Sequence, residues 1–202
     1  MPDRWGEEGP PPEAYSRVTR DLAALTAGFA RYLDELPGEL TARYLCRVRS
    51  LSEDERLRLR GSGSGVDDGW VDDGWAVEPS DADSATLLVG RTTFEGGASA
   101  LLGFGVAAHG LVPDCFCDAC DEDSESLVAR AEELVRAAVH GCVEFRRPYQ
   151  PRRPGRLFGG PWLEEGFTTA GGGFAHASAA IRGEPFSRHW QPWTPRSTAD
   201  RR

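Results

Sequence analysis

Residues 115–122 read Cys115-Phe116-Cys117-Asp118-Ala119-Cys120-Asp121-Glu122, which places three of the chain's five cysteines within six positions, directly ahead of an amphipathic stretch. Thiols this close can hold a soft metal, exchange disulfides or simply pack together. The C-x-x-C step is the usual half of a zinc site, because it lets two thiolates reach one ion. A complete site needs a fourth ligand, and the sequence has no second C-x-x-C and no H-x-x-x-H. If zinc is held by Cys115, Cys117 and Cys120, the fourth ligand has to come from His109, His140, Cys142 or the adjacent Asp121. Cys115 and Cys117 alternate along an extended entry and point to opposite sides unless the chain turns at Phe116, whereas Cys117 and Cys120 flank a turn. The expected close pair is therefore Cys117 with Cys120, in a packed structural knuckle with Asp121 or Asp123 capping the following helix. The expected cofactor is none or zinc. The alternative is a thiol–disulfide oxidoreductase or redox sensor using Cys117 and Cys120. Against it, Asp114, Asp118, Asp121, Glu122 and Asp123 crowd the thiols with negative charge, and the helix dipole opposes them over one turn only.

Hydrophobic periodicity supplies the frame. Tyr15, Val18, Leu22, Leu25, Phe29, Tyr32, Leu33 and Leu36 recur at three- and four-residue steps, predicting a helix that Pro37-Gly38 ends, with Thr19 as an alternative N-cap. Residues 40–48 alternate as a strand with one wet face. Residues 50–84 are charged and Gly/Ser-rich and contain an exactly repeated unit, Val66-Asp67-Asp68-Gly69-Trp70 followed by Val71-Asp72-Asp73-Gly74-Trp75, which reads as a flexible insertion. Residues 85–91 and 98–109 form a hairpin around Phe94-Glu95-Gly96-Gly97, and the small face of Gly103, Gly105, Ala107 and His109 invites a helix to pack closely. A second helix spans residues 123–140 on the stripe Leu127, Ala131, Leu134, Val135, Ala138 and Val139, and Gly141 stops it. Beyond it lie a strand at 162–168, a short helical piece at 175–181 and a Trp190-Gln191-Pro192-Trp193 tail that docks on its own domain. The fold expected is α+β: residues 1–202 as a single domain, one antiparallel sheet of about four or five strands, two long helices on one face.

Composition excludes several functions. All 23 basic residues are Arg, with no Lys and no Asn among 202 residues, and Ile181 is the only isoleucine. That bias suits a source with GC-rich DNA, and it removes Schiff-base lysines, phosphate-loop lysines and glycosylated asparagines from consideration. A net charge of −9 repels phosphate backbones and anionic lipid, so no nucleic-acid or membrane partner is expected. The basic run at residues 146–156 is interleaved with proline and reads as a solvated connection. Gly103-Phe104-Gly105-Val106-Ala107-Ala108 matches a dinucleotide fingerprint but is followed by Pro113 and cysteines where a helix should open. Residues 1–12 carry no apolar leader core, the longest apolar tract is too short to span a bilayer, and an odd number of cysteines argues against a disulfide framework. A cytoplasmic, non-enzymatic protein with an unknown protein or small-molecule partner is the resulting expectation.

The early Tyr15-Ser16-Arg17-Val18-Thr19, the Cys117-Asp118-Ala119-Cys120-Asp121-Glu122 block, the helix after it and the terminal Pro192-Trp193-x-Pro195-Arg196 together resemble an actinobacterial family classified only as a domain of unknown function. That family's usual block is C-G-C-D-A-C-D-E. A Gly in place of Phe116 would permit a left-handed wrap around an ion, which Phe116 disfavours. The resemblance implies no activity.

Deleting one Val-Asp-Asp-Gly-Trp unit shortens the chain by one repeat while leaving an identical copy in place. Loop-closure entropy changes by only a few tenths of a kcal/mol. The melting temperature of the single-copy variant should match the parent within about two degrees. A drop of many degrees would show that both copies are packed.

Overall fold

A computed structural model describes residues 9–60, 71, 73–120, 122–149, 162–178 and 183–197. After a 3-10 turn at Pro12–Ser16, helix α1 spans Leu22–Arg43, with β1 at Cys46–Ser50, α2 at Glu53–Arg60, β2 at Asp73–Pro79, β3 at Leu87–Phe94, β4 at Gly97–Phe104 and β5 at Ala108–Val112. Helix α3 spans Ser124–His140, followed by β6 at Cys142–Tyr149, β7 at Trp162–Thr169, β8 at Gly172–Ser178 and β9 at Phe186–Trp190. The class is α+β as expected, with two antiparallel sheets in place of one: β1-β2-β3-β4-β5 and β8-β7-β6-β9.

The first sheet is buried on both sides, and alternation along its central strands says why. Val77, Leu87, Val89, Ala100, Leu102 and Phe104 face the main core with α1 and α3, while Ala76, Leu88 and Leu101 face the other way onto Leu51, Leu59 and Val71. The two long helices thus share one face, and the short α2 covers the opposite one. Gly90 lies against Val71 and Leu59 on that second face, so a side chain there would have to displace both.

Helix α1 starts and ends later than its periodicity suggested. Asp21 is the N-cap, its side chain accepting from the Ala24 N–H at 3.1 Å. Tyr15 and Val18 lie outside the helix and are exposed. Pro37 sits inside the helix. An interior proline costs about 3 kcal/mol, yet Leu36 and Leu40 on either side are buried in the main core, and that burial carries the helix through. The strand expected at residues 40–48 is correspondingly displaced to Cys46–Ser50.

The segment read as an insertion is structured where it is described. Helix α2 covers its first part, Val71 is buried, and β2, which begins in the second repeat copy and runs on to Pro79, pairs with both β1 and β3. Trp75-Ala76-Val77 is a short apolar run whose strand character the repeat concealed. The first copy and Asp72 lie outside the described residues. Two further expectations change. Gly172–Ser178 pairs with β7 as a strand, Phe174 opposite Phe167, so residues 175–178 of the helical piece expected at 175–181 are extended, and residues 179–181 lie outside the described residues. The start of the basic run is β6, and its arginines stand opposite acids on β7, Arg146 with Glu165 and Arg147 with Glu164. Residues 150–161 lie outside the described residues.

The tail docks as expected. Trp193 is buried, its indole N–H donates to the Ala85 carbonyl at 3.0 Å, and its backbone N–H donates to the Val139 carbonyl at 2.8 Å. A single carboxylate joins the two sheets. Glu144 on β6 is 0 % exposed and accepts the Val106 N–H at 2.9 Å, the Ala107 N–H and the Trp190 indole N–H at 2.7 Å. Those amides belong to the β4–β5 turn, so the apparent dinucleotide motif closes a hairpin onto a buried anion. Gly105 makes the approach possible: its φ is +60°, and a Cβ there would overlap the Glu144 carboxylate and the Trp190 nitrogen.

Gly105→Ala should therefore destabilise the fold by about 2–4 kcal/mol. Glu144→Gln, which turns an NH₂ toward those donors, should cost about 1–3 kcal/mol. Urea unfolding measures both, and a Gly105→Ala variant within about half a kcal/mol of the parent would contradict this reading of the junction.

Candidate metal centre

Strand β5 ends at Val112, and a cis Val112–Pro113 bond leads into the cysteine block. The chain turns at residues 118–120, with the Cys120 N–H donating to the Cys117 carbonyl at 3.2 Å. All three thiols converge. Cys115 Sγ lies 2.8 Å from Cys117 Sγ and 3.0 Å from Cys120 Sγ, and Cys117 Sγ lies 3.4 Å from Cys120 Sγ. All five cysteines of the chain are free thiols.

The convergence corrects the expected geometry, in which only Cys117 and Cys120 approached. The wrap that brings Cys115 back to the other two sulfurs is present, and Cys115 is part of the closest pair. It is made without a left-handed residue: among the described residues the only non-glycine with positive φ is Glu95. Phe116 thus does not block the wrap that a glycine would have eased. Its ring stacks on Phe94 of the β3–β4 hairpin, centroids 5.5 Å apart and nearly parallel.

Two bracing systems hold the knuckle. On one side, the lead-in to α1 runs along it: the Asp118 N–H donates to the Arg17 carbonyl at 2.8 Å, and the Ala119 N–H donates to the Ala14 carbonyl at 3.2 Å. The buried Asp118 carboxylate accepts from the Thr19 backbone at 3.0 Å and from the Thr19 hydroxyl at 2.7 Å. Arg20 donates to the carbonyls of Glu122 at 2.9 Å and Cys117 at 3.2 Å. On the other side, Arg130 of α3 pairs with both Asp114 and Glu122, gripping the two ends of the knuckle. Helix α3 starts on Asp123, whose side chain accepts the Ser126 N–H at 2.8 Å, as expected of a capping residue there. Its first residue, Ser124, accepts the Gly28 N–H at 3.2 Å and donates to the Leu25 carbonyl, at a close approach of α1 and α3. Arg20 and Arg130 carry no signal in a single sequence. Asp118 did, as an acid between two cysteines, but its partner lies 99 residues away.

These partners change the electrostatics expected from the crowd of acids, because Asp114, Asp118 and Glu122 are each compensated by arginine. The thiols then separate. Burial pushes Cys117 upward, but hydrogen bonds from the Cys115 and Cys120 thiols and from the backbone of Cys120 and Ala119 outweigh it and hold Cys117 below the ordinary thiol value. Cys120 is pushed well up, first by partial desolvation of its sulfur and then by its two sulfur neighbours. The remaining cysteines are ordinary packed thiols: Cys46 is raised mainly by burial, and Cys142, also by burial, is pushed up to about 12.

Among the described residues, the ligand atoms that gather within 4.8 Å of one another are the three sulfurs. The proposed fourth ligands are elsewhere. His109 is half-buried on β5 with Nδ1 2.5 Å from the Ala107 carbonyl, His140 is exposed at the end of α3, and Cys142 is buried on β6 opposite Trp190. Asp121 lies outside the described residues. No described helix is long and apolar enough to cross a membrane.

The fold and the site together define an α+β protein carrying a three-thiol knuckle between a strand and a helix. A family model described as "Family of unknown function (DUF6226)" matches residues 1–197, and the chain belongs to that family. Comparisons with curated proteins and with solved structures each find no match.

Proposed function

We propose that Cys115, Cys117 and Cys120 hold one soft divalent cation, zinc being the best fit, and that the loaded knuckle is a structural staple in a cytoplasmic, non-enzymatic protein. The observation that carries this reading is the mutual approach of the three sulfurs within 3.4 Å. Tetrahedral zinc with bonds of about 2.3 Å holds its sulfurs about 3.8 Å apart. The observed triangle is tighter by about 0.4–1.0 Å a side, and a point about 2.3 Å from all three sulfurs lies about 1.4 Å off their plane. Small outward rotations of the side chains bring that ion nearer the plane. The fourth position falls to water or to a group outside the described residues, with Asp121 next in the chain. Staple is the apt role because the knuckle's backbone is bonded to the α1 lead-in and its flanking acids to α3. An ion joining the sulfurs therefore fixes three segments at once.

The separation of thiol properties weighs against the alternative of Cys117 and Cys120 as a redox pair. An attacking cysteine is both exposed and low in pKa. Here the depressed thiol, Cys117, is buried, and the exposed one, Cys120, is raised. Five free cysteines also suit a reducing compartment.

Native mass spectrometry of protein purified without chelator or reductant tests the proposal. One zinc-sized mass increment per chain is expected, removed by a strong chelator and restored by added zinc. Thiol counting under denaturing conditions should return all five cysteines. Protein that carries no metal and takes none up, or that returns two thiols fewer, contradicts it.

A further inference from the structure

Resting on the metal reading above, we infer that Cys120 is the reactive sulfur of the loaded knuckle and accepts an alkyl group from soft alkylating agents. Geometry separates it from its two neighbours. Cys117 is buried and Cys115 half-buried, whereas Cys120 is exposed. The Cys117 N–H donates to Cys115 Sγ at 3.2 Å, while among the described residues no backbone N–H donates to Cys120 Sγ. A hydrogen bond to a metal-bound thiolate draws off part of its charge and blunts attack. Coordination removes the thiol proton outright, so a bound cysteine is a thiolate at any pH that keeps the ion bound. Cys120 thus combines access, full thiolate character and the least hydrogen bonding.

The chemistry needs no oxidant or reductant. A lone pair on the Cys120 sulfur attacks the sp³ carbon of the alkyl donor, the S–C bond forms as the bond from carbon to the leaving group breaks, and the leaving group departs with its electron pair. Cys120 ends as a thioether, a weaker ligand than the thiolate, and one proton fewer has to be lost because the metal has already displaced it. The reaction is stoichiometric, one alkyl group per chain. Three thiolates on a divalent ion leave one net negative charge. Among the described residues, the flanking carboxylates Asp114, Asp118 and Glu122 are already paired with Arg20 and Arg130. A neutral or cationic donor is therefore favoured over an anionic one.

The test uses zinc-loaded full-length protein and a limiting amount of iodoacetamide between about pH 6 and 8, with alkylated sites located by peptide mass spectrometry and zinc release followed by an indicator dye. Cys46, a half-buried thiol outside the knuckle, is the internal reference. Cys120 should react at least about tenfold faster than Cys115 or Cys117 and vary less than about twofold across the range, while Cys46 slows about tenfold per pH unit on acidification, as an ordinary thiol does. Iodoacetate, the anionic analogue, should be slower at Cys120 than at Cys46 relative to iodoacetamide. If Cys120 in zinc-loaded protein follows the same pH dependence as Cys46, or if all three knuckle cysteines react at one rate, the inference is overturned while the metal site stands. Failure of the same protein to take up zinc overturns the metal reading and this inference with it.

Discussion

The bond between Asp118 and Thr19 is the constraint on which the site depends. A buried carboxylate is costly unless its oxygens find donors, and Asp118 finds both the backbone and the hydroxyl of a residue 99 positions earlier. That requirement draws the lead-in of α1 against the knuckle, and Arg17, Ala14 and Arg20 then complete the seam. The three sulfurs converge because the backbone between them is held from outside, since three sulfurs within 3.4 Å of one another have little mutual attraction of their own. Bracing of this kind is what a metal site needs before its metal arrives, because a ligand set held in place loses less freedom on binding.

Glu144 uses the same device at the opposite end of β5. One buried carboxylate collects donors from the β4–β5 turn and from Trp190, and so joins the first sheet to the second. Both junctions link distant segments through a short polar contact inside an apolar surround, where such bonds are strong and their loss is expensive. The aromatic tail adds apolar burial to the same region, with Trp193 set edge-on to Tyr44 and hydrogen-bonded to Ala85.

Features governed by local pattern were legible in the sequence. The α3 stripe, its Asp123 cap and its Gly141 stop depend on residues within one helix, and the hairpin around Glu95-Gly96 depends on one turn. Features decided by tertiary burial were not. Pro37 is a helix breaker locally, but buried neighbours carry α1 past it; the repeat hid the strand in its second copy because Asp and Gly dominate that unit while the burial of Val71, Ala76 and Val77 comes from partners elsewhere. The site shows the same division. The three cysteines were evident from spacing, and the fourth-ligand candidates His109, His140 and Cys142 were chosen by proximity in sequence, which the fold does not preserve. Arg20 and Arg130 could not be picked from 23 arginines without knowing which acids they would face. Glu144 did leave a trace, as a lone acid inside the run Cys142-Val143-Glu144-Phe145, a position where alternation calls for an apolar residue.

The central claim is that three thiolates meet on one ion, and cobalt(II) substitution tests it most directly because its absorption reports both ligand type and geometry. Titrating Co²⁺ into metal-free protein should produce thiolate-to-cobalt charge-transfer bands and the intense visible bands of a tetrahedral site, saturating at one ion per chain, and added Zn²⁺ should abolish them. A weak octahedral spectrum without charge transfer, or no saturable binding, would contradict the account.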